Sequence, residues 1–241
     1  MAIIAASVLN ADHSRLEHEV IRVADAGVDA FTLDIMDGRF APRVTFDDDV
    51  VARVRNLVDL PIEVHLMIDQ PEKSALRYCD AGADLVLFHI EATSRPGAVI
   101  DVVREQGRSV GVAIKDKTPV AAISDEVLEQ VDLVCLLAVP IGYGGQTIAS
   151  DTVSRLKKVR ERAGRLGKEI ALEVDGGIKP HNAGIYYEAG ADMLAVGTGI
   201  YHADDATEAI RLLHRNSHRG SDSISLNRLA TFLSRPSLHK Q

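Results

Sequence analysis

Ala81-Gly-Ala-Asp84 stands between a helical pattern and the apolar run Leu85–His89, and its reading decides the fold. Its glycine falls where a helix ends. At that C′ position the backbone turns left-handed, a conformation in which a side chain clashes. The next residues carry the chain into an extended run. The same phrase recurs as Ala26-Gly-Val-Asp29 before Ala30–Asp34, and as Ala189-Gly-Ala-Asp192 before Met193–Val196. An αβ unit is therefore written three times.

Working outward from these phrases, the extended candidates are Ile3–Ser7, Ala30–Asp34, Ile62–Leu66, Leu85–His89, Ser109–Ile114, Leu133–Ala138, Glu169–Asp175 and Met193–Val196. Most are near-continuous apolar runs, as in strands buried on both faces. Amphipathic stretches such as Arg15–Ala26, Asp48–Leu57, Pro71–Ala81 and Asp151–Arg165 lie between them. Strand–helix alternation repeated eight times predicts an α/β protein, a single closed (β/α)8 barrel over residues 1–215. A doubly wound open sheet needs a glycine-rich turn after its first strand, and Ser7-Val-Leu-Asn10 is not one. Residues 216–241 turn rich in Ser, Arg and His and read as a polar extension outside the barrel, partly disordered or packed on a partner subunit.

Composition narrows the function. Of the 241 residues, 46% are hydrophobic and 26% charged, which is ordinary for a globular chain able to bury a full core. A net charge of −8 gives no support for nucleic acid or an anionic membrane as partner. An anionic substrate then needs a local site. Cys79 and Cys135 lie inside apolar stretches without metal-like spacing and read as buried hydrophobes. With no span-length apolar segment and no signal-like start, a cytoplasmic protein is expected.

In such a barrel the active site lies at the C-terminal ends of the strands. Those positions hold Ser7, Asp34 followed by Met36-Asp37-Gly38, His65, His89 with Glu91, Lys115, Gly142–Gln146, Asp175-Gly-Gly177 and Gly197-Thr198. Gly142, Gly144, Gly145 and Gln146, with Gly176, Gly177, Gly197 and Thr198, form three adjacent segments able to turn backbone N–H groups toward one phosphate. Singly, such glycines often serve only tight turns. Asp34 and Asp175, on different sides of the mouth, are placed to remove a proton from one face of a carbon and return one to the other. Each alone is also readable, less readily, as a cap or loop anchor. With His65 they also make a plausible ligand set for a divalent metal that would stabilise an enediolate.

The motifs Ala6-Ser-Val-Leu-Asn-Ala-Asp12, Leu33-Asp-Ile-Met-Asp-Gly-Arg-Phe-Ala-Pro42, Val64-His-Leu-Met67, His89-Ile-Glu-Ala-Thr93, Gly142-Tyr-Gly-Gly-Gln146 and Glu173-Val-Asp-Gly-Gly177 stand in this order. From about Ile3 to Tyr201 the chain resembles the ribulose-phosphate 3-epimerases, barrels of the ribulose-phosphate-binding type that use zinc or iron. The resemblance implies epimerisation of ribulose 5-phosphate and xylulose 5-phosphate, or a related ketose phosphate. It makes Asp34 and Asp175 both metal ligands and the acid–base pair, and His65 a ligand. It places Ser7 on the substrate, Met36 and Met67 over the enediolate, and the glycine segments on the phosphate. A homo-oligomer is expected.

The chain departs from the family pattern in places. Thr32 stands where the family has its remaining histidine ligand, and a threonine hydroxyl is a poor zinc ligand beside imidazole. Leu137 replaces a methionine, Ile141 a proline, Arg43 an asparagine and Asp116-Lys117 a Pro-Gly. Two further readings therefore stand beside the epimerase: a phosphate-anchored isomerase, decarboxylase or aldolase poor in metal, and a phosphosugar binder without turnover.

Overall fold

The computed structural model describes residues 2–216. It forms a closed parallel barrel whose strands follow one another in sequence order. These are β1 (Ile3–Ser7), β2 (Ala30–Met36), β3 (Ile62–Met67), β4 (Leu85–His89), β5 (Ser109–Ile114), β6 (Leu133–Leu137), β7 (Ala171–Asp175) and β8 (Met193–Val196). Helices α1 (Leu16–Asp25), α2 (Asp48–Leu57), α3 (Ala75–Asp80), α4 (Pro96–Glu105), α5 (Asp125–Gln130), α6 (Thr152–Arg165), α7 (Ala183–Glu188), α8 (Thr198–Tyr201) and α9 (Ala206–Asn216) connect and surround them. The polar extension expected over 216–241 lies, beyond Asn216, outside the described residues.

The recurring phrase has a second use besides its glycine. Gly27, Gly82 and Gly190 all take positive φ, at 92°, 110° and 111°. At Gly27 an added Cβ meets nothing within 4 Å, so the demand there is backbone conformation rather than crowding. The aspartate two residues on clasps the preceding strand. Asp29 N–H donates to Ile4 O, and Asp29 Oδ2 accepts from Ile4 N–H at 2.8 Å. Asp84 holds Ile62 in the same way, and Asp192 holds Leu172. Asp132, which no Ala-Gly precedes, does this to Val110. Each odd strand is thereby tied at its base to the next even one. Hydrogen bonds to a charged acceptor contribute about 1.5–3 kcal/mol each.

Side chains alternate across each strand. The outward set packs under the helices as the main core, including Phe31, Leu33, Val64, Phe88 and Leu172. The inward set fills the lower barrel with Ile3, Ala5, Ala30, Leu85, Leu87, Leu133, Cys135, Ala171 and Met193. Cys79 and Cys135 are both buried free thiols, as their apolar surroundings predict. A small cluster of Met36, Met67 and Ala41 closes against Leu9, Phe40 and Ile141 at the mouth.

Several boundaries differ from the sequence reading, β6 ending at Leu137 rather than Ala138 and β7 beginning at Ala171 rather than Glu169 among them. β2 and β3 run on to Met36 and Met67 because these residues pair across the two strands, which puts both methionines on the rim. The helix expected over Pro71–Ala81 breaks into a 3-10 turn, Pro71–Lys73, and α3. Ser74, at φ −134°, departs from helical geometry between them.

Candidate active site

Alternation that begins at Ala30, Glu63 and Ala171 carries Asp34, His65 and Asp175 into the barrel at its upper end. His65 Nδ1 lies 3.2 Å from Asp34 Oδ1 and 3.4 Å from Asp175 Oδ2. Ser7 Oγ donates to the other Asp34 oxygen at 2.9 Å. Burial works against a charge on His65. The two carboxylates outweigh it and push the imidazole up to about 10. Burial also raises the Asp175 carboxyl, opposed by the hydrogen bond from His65.

The ligand atoms of Asp34, His65 and Asp175 all lie within 4.8 Å of one another. Two carboxylates and an imidazole at that spacing suit a divalent ion. The family's fourth ligand has no substitute in Thr32, whose hydroxyl donates to Glu63 Oε1 at 2.8 Å, one layer deeper. Glu63 and Glu173 are both wholly buried there. Glu63 Oε2 and both Glu173 oxygens have no hydrogen-bond partner among the described residues. Burial raises Glu63 to about 7, and burial with the Glu63 charge raises Glu173 well above its ordinary value.

His65 also faces away from the carboxylates. Its Nε2 lies 3.0 Å from His89 Nε2, and His89 Nδ1 lies 3.3 Å from Glu91 Oε2. Lys115 N–H donates to Glu91 Oε1 at 2.8 Å. Burial, together with the charge on His65, lowers His89 to about 4. Burial raises Glu91, but hydrogen bonds from His89, Thr118 and Lys115 N–H prevail and hold it at about 2. Phe40 covers this chain, 5.1 Å from the His89 ring, with the Lys115 ammonium 3.7 Å above its own ring.

Above the carboxylates opens a cleft. Ser7, Asp34, Met36, Met67 and Asp175 line one end, and Gly142, Gly144, Gly145, Gly176, Gly177, Gly197 and Thr198 the other. The glycines are needed for space as well as for turning. A Cβ on Gly176 would come 2.5 Å from Val139 Cγ2, and one on Gly177 2.7 Å from Gln146 O. Two expected substrate residues are placed differently. Gln146 turns its amide back onto Pro140 O and Tyr143 O, bracing the loop instead of lining the cleft. His65, 1% exposed, lies behind the carboxylates.

Sequence reasoning missed two neighbours of the cradle. Asn10 lines the cleft, and a Cβ on Gly144 or Gly197 would come 2.5 Å or 2.0 Å from its amide atoms, so that amide lies between the two glycine segments. Its signal was a polar residue just past the first strand. Lys179 donates to Thr198 Oγ1 at 2.6 Å, which sets an ammonium beside the cradle. Among the departures from the family pattern, Leu137 and Ile141 line the cleft and Arg43 reaches Gly142 O at 3.3 Å. Asp116 instead offers its carbonyl to Arg155, away from the cleft.

A closed parallel barrel with paired carboxylates and a glycine-lined anion cradle at its strand ends defines a phosphate-anchored α/β-barrel enzyme. The sequence profile described as "Ribulose-phosphate 3 epimerase family" matches residues 3–201. The ribulose-phosphate 3-epimerase of Bacillus subtilis is 37% identical over 208 residues, covering 86% of this chain and 95% of that one. The enzyme of the same name from Escherichia coli K12 is 34% identical over 209 residues, covering 86% and 92%. Among solved structures, the orotidine 5'-phosphate decarboxylase of Pyrococcus horikoshii superposes with a TM-score of 0.64 at 17% identity, over 89% of this chain and 98% of that one, and bears on the fold alone. The chain belongs to the ribulose-phosphate 3-epimerase family. It is thus a carbohydrate-phosphate epimerase, and the decarboxylase, aldolase and non-catalytic readings are not favoured. Among the described residues no helix is long and apolar enough to cross a membrane.

Proposed function

We propose that this enzyme interconverts ribulose 5-phosphate and xylulose 5-phosphate by moving the C3 proton between Asp34 and Asp175. The observation that carries the reading is the pair of carboxylates converging on His65 Nδ1 at one end of a cleft whose other end is made of glycine backbone. The phosphate anchored among Gly144, Gly145, Gly177 and Gly197 fixes the sugar, so C3 lies between the two aspartates. One carboxylate takes the C3 proton, and the electron pair passes into an enediolate across C2 and C3. The other carboxylate then returns a proton to the opposite face, which inverts C3. Burial raises the Asp175 carboxyl, which makes it a stronger base than an ordinary aspartate. Ser7 holds Asp34 in place, while Met36 and Met67 cover the reacting carbons and keep water from the enediolate.

Asp34, His65 and Asp175 would hold a divalent zinc or iron, which supplies charge stabilisation for the enediolate oxygens. This reading also puts the enzyme in the cytoplasm as a homo-oligomer without a nucleic-acid partner, in keeping with the net charge of −8. Proton exchange at C3, followed by NMR in deuterated water over a panel of ketose phosphates with and without zinc or iron, tests it. Deuterium should enter ribulose 5-phosphate at C3 as xylulose 5-phosphate forms. Absence of exchange on every ketose phosphate would overturn the assignment.

A further inference from the structure

We propose that Lys179 is a positioning residue for the substrate's phosphate, holding the Thr198 hydroxyl so that its hydrogen is offered to that anion. The chain as a whole carries a net charge of −8, and the far end of the cleft holds two carboxylates. A phosphate dianion entering there gains from a cation beside the cradle. Lys179 donates from its ammonium to Thr198 Oγ1 at 2.6 Å. That oxygen looks onto the cradle, since a Cβ on Gly145 would come 3.8 Å from it. Thr198 itself lines the cleft. The lysine is also tied to the glycines after β7. Its backbone N–H donates to Asn182 Oδ1 at 2.8 Å, and Asn182 Nδ2 donates to Gly177 O at 3.1 Å. Lys179 thus bridges the cradle segments that follow β7 and β8.

Donors and acceptors set the direction of the contact. An ammonium has hydrogens and no lone pair, so Thr198 Oγ1 can only accept from it. The hydroxyl hydrogen is left over, and among the described residues no acceptor takes it. A charged phosphate oxygen is the acceptor that such a hydrogen fits best. Charge points the same way. Among the described residues no carboxylate pairs with Lys179, and burial lowers its ammonium below the ordinary lysine value with no charge opposing it. A partly buried ammonium without a counter-charge is unfavourable, and an anion in the cleft relieves it. Arg43, at the loop after β6, instead engages Gly142 O at 3.3 Å and the Tyr143 ring. The inference rests on the reading that the glycine segments hold phosphate, so inorganic phosphate is a probe alongside ribulose 5-phosphate.

Lys179→Met keeps the reach of the side chain and removes its charge and its donors. The Kd of inorganic phosphate, followed by phosphorus NMR on the whole chain, should rise by about 10–100-fold, the range for losing a hydrogen bond to a charged group. KM for ribulose 5-phosphate should rise by a similar factor, with kcat at saturation little altered. Lys179→Arg, which keeps charge and donors, should recover most of the affinity. Thr198→Val should weaken phosphate as well. Adding Lys179→Met to it should then cost little more, because the lysine acts through that hydroxyl. Unchanged phosphate affinity in Lys179→Met, beside normal epimerisation by the wild type, overturns the proposal and leaves the epimerase reading standing. Equal losses in Lys179→Arg and Lys179→Met, fully additive losses in the double variant, or a wild type that binds no inorganic phosphate also overturn it. If Lys179→Met does not fold, Lys179→Gln, polar and uncharged, is read against the same outcomes. Phosphate binding that depends on Lys179, in a protein that turns over no ketose phosphate, upholds the lysine's role and removes the epimerase reading instead.

Discussion

The two ends of the cleft are made of different material. At the β1, β2, β3 and β7 end, side chains on strands do the work, and each rests on another side chain: Ser7 on Asp34, His65 on His89, Thr32 on Glu63. At the end formed after β6, β7 and β8, the work falls to backbone; most of its glycines are fixed by what a Cβ would strike, and Gly145 by its positive φ. A side-chain end can change one residue at a time, with a neighbour taking up the slack. A backbone end cannot. The departures from the family pattern obey this division, falling on Thr32, Leu137, Ile141 and Arg43 while the cradle glycines stand.

The hardest test of the division is Asp175→Asn. Turnover should fall by about 10²–10⁴-fold, as for lost general acid–base groups, and Asp34→Asn should do the same. Binding of a substrate analogue through its phosphate should survive in both. Parallel loss of turnover and phosphate binding would show that the two ends are not separable. The complementary change is Gly177→Ala, at φ +74° with Gln146 O 2.7 Å from the new Cβ. Strain of about 1–3 kcal/mol should appear as a KM raised on the order of 10–100-fold, with kcat at saturation little altered. A fall in kcat at constant KM would place Gly177 in the chemistry.

Thr32→His sharpens the comparison at the side-chain end. A fourth protein ligand should hold zinc more tightly, by no less than the roughly tenfold that an orienting partner is worth elsewhere. Zinc per chain after dialysis against a chelator measures it. A wild type that already keeps one chelator-resistant zinc per chain removes the premise of a weakened site. The smallest effect concerns the buried pair below. Glu63 sits at about 7 against an ordinary value of 4.5, so its folded pKa lies above its unfolded one. Its contribution is then fully present below pH 4.5 and is lost as pH rises through about 7. Metal-free protein should lose a few degrees of Tm across that window, and Glu173→Gln should flatten the slope. Equal slopes in the two proteins would show that Glu173 adds nothing to this pH dependence.

Much of the barrel is legible in sequence because its signals are local. Ala-Gly-x-Asp joins a helix end to a strand start within four residues, and buried strands announce themselves as apolar runs. The clasp at Asp132 escapes notice because Gln130 stands where the phrase has its glycine, although the aspartate does the same work. Pro71–Ala81 misleads because apolar spacing continues through Ser74 while the backbone does not. Asp34, His65 and Asp175 are legible as strand ends. The contacts that orient them are not: Thr32 meets Glu63 and His65 meets His89 across neighbouring strands, at sequence separations of 31 and 24. Gln146 is misread for a related reason, since a glycine-rich spacing says where the loop lies and nothing about which way its amide turns.

The four aspartate clasps at the base divide the barrel into pairs, β1 with β2, β3 with β4, β5 with β6 and β7 with β8. Each clasp closes within one strand–helix–strand stretch of chain. Reopening the chain between pairs and joining its old ends would leave every clasp inside a continuous segment. Reopening it within a pair would set an aspartate and its strand at opposite ends of the polypeptide. The base thus marks the barrel into quarters, and circular permutation has its natural seams between them.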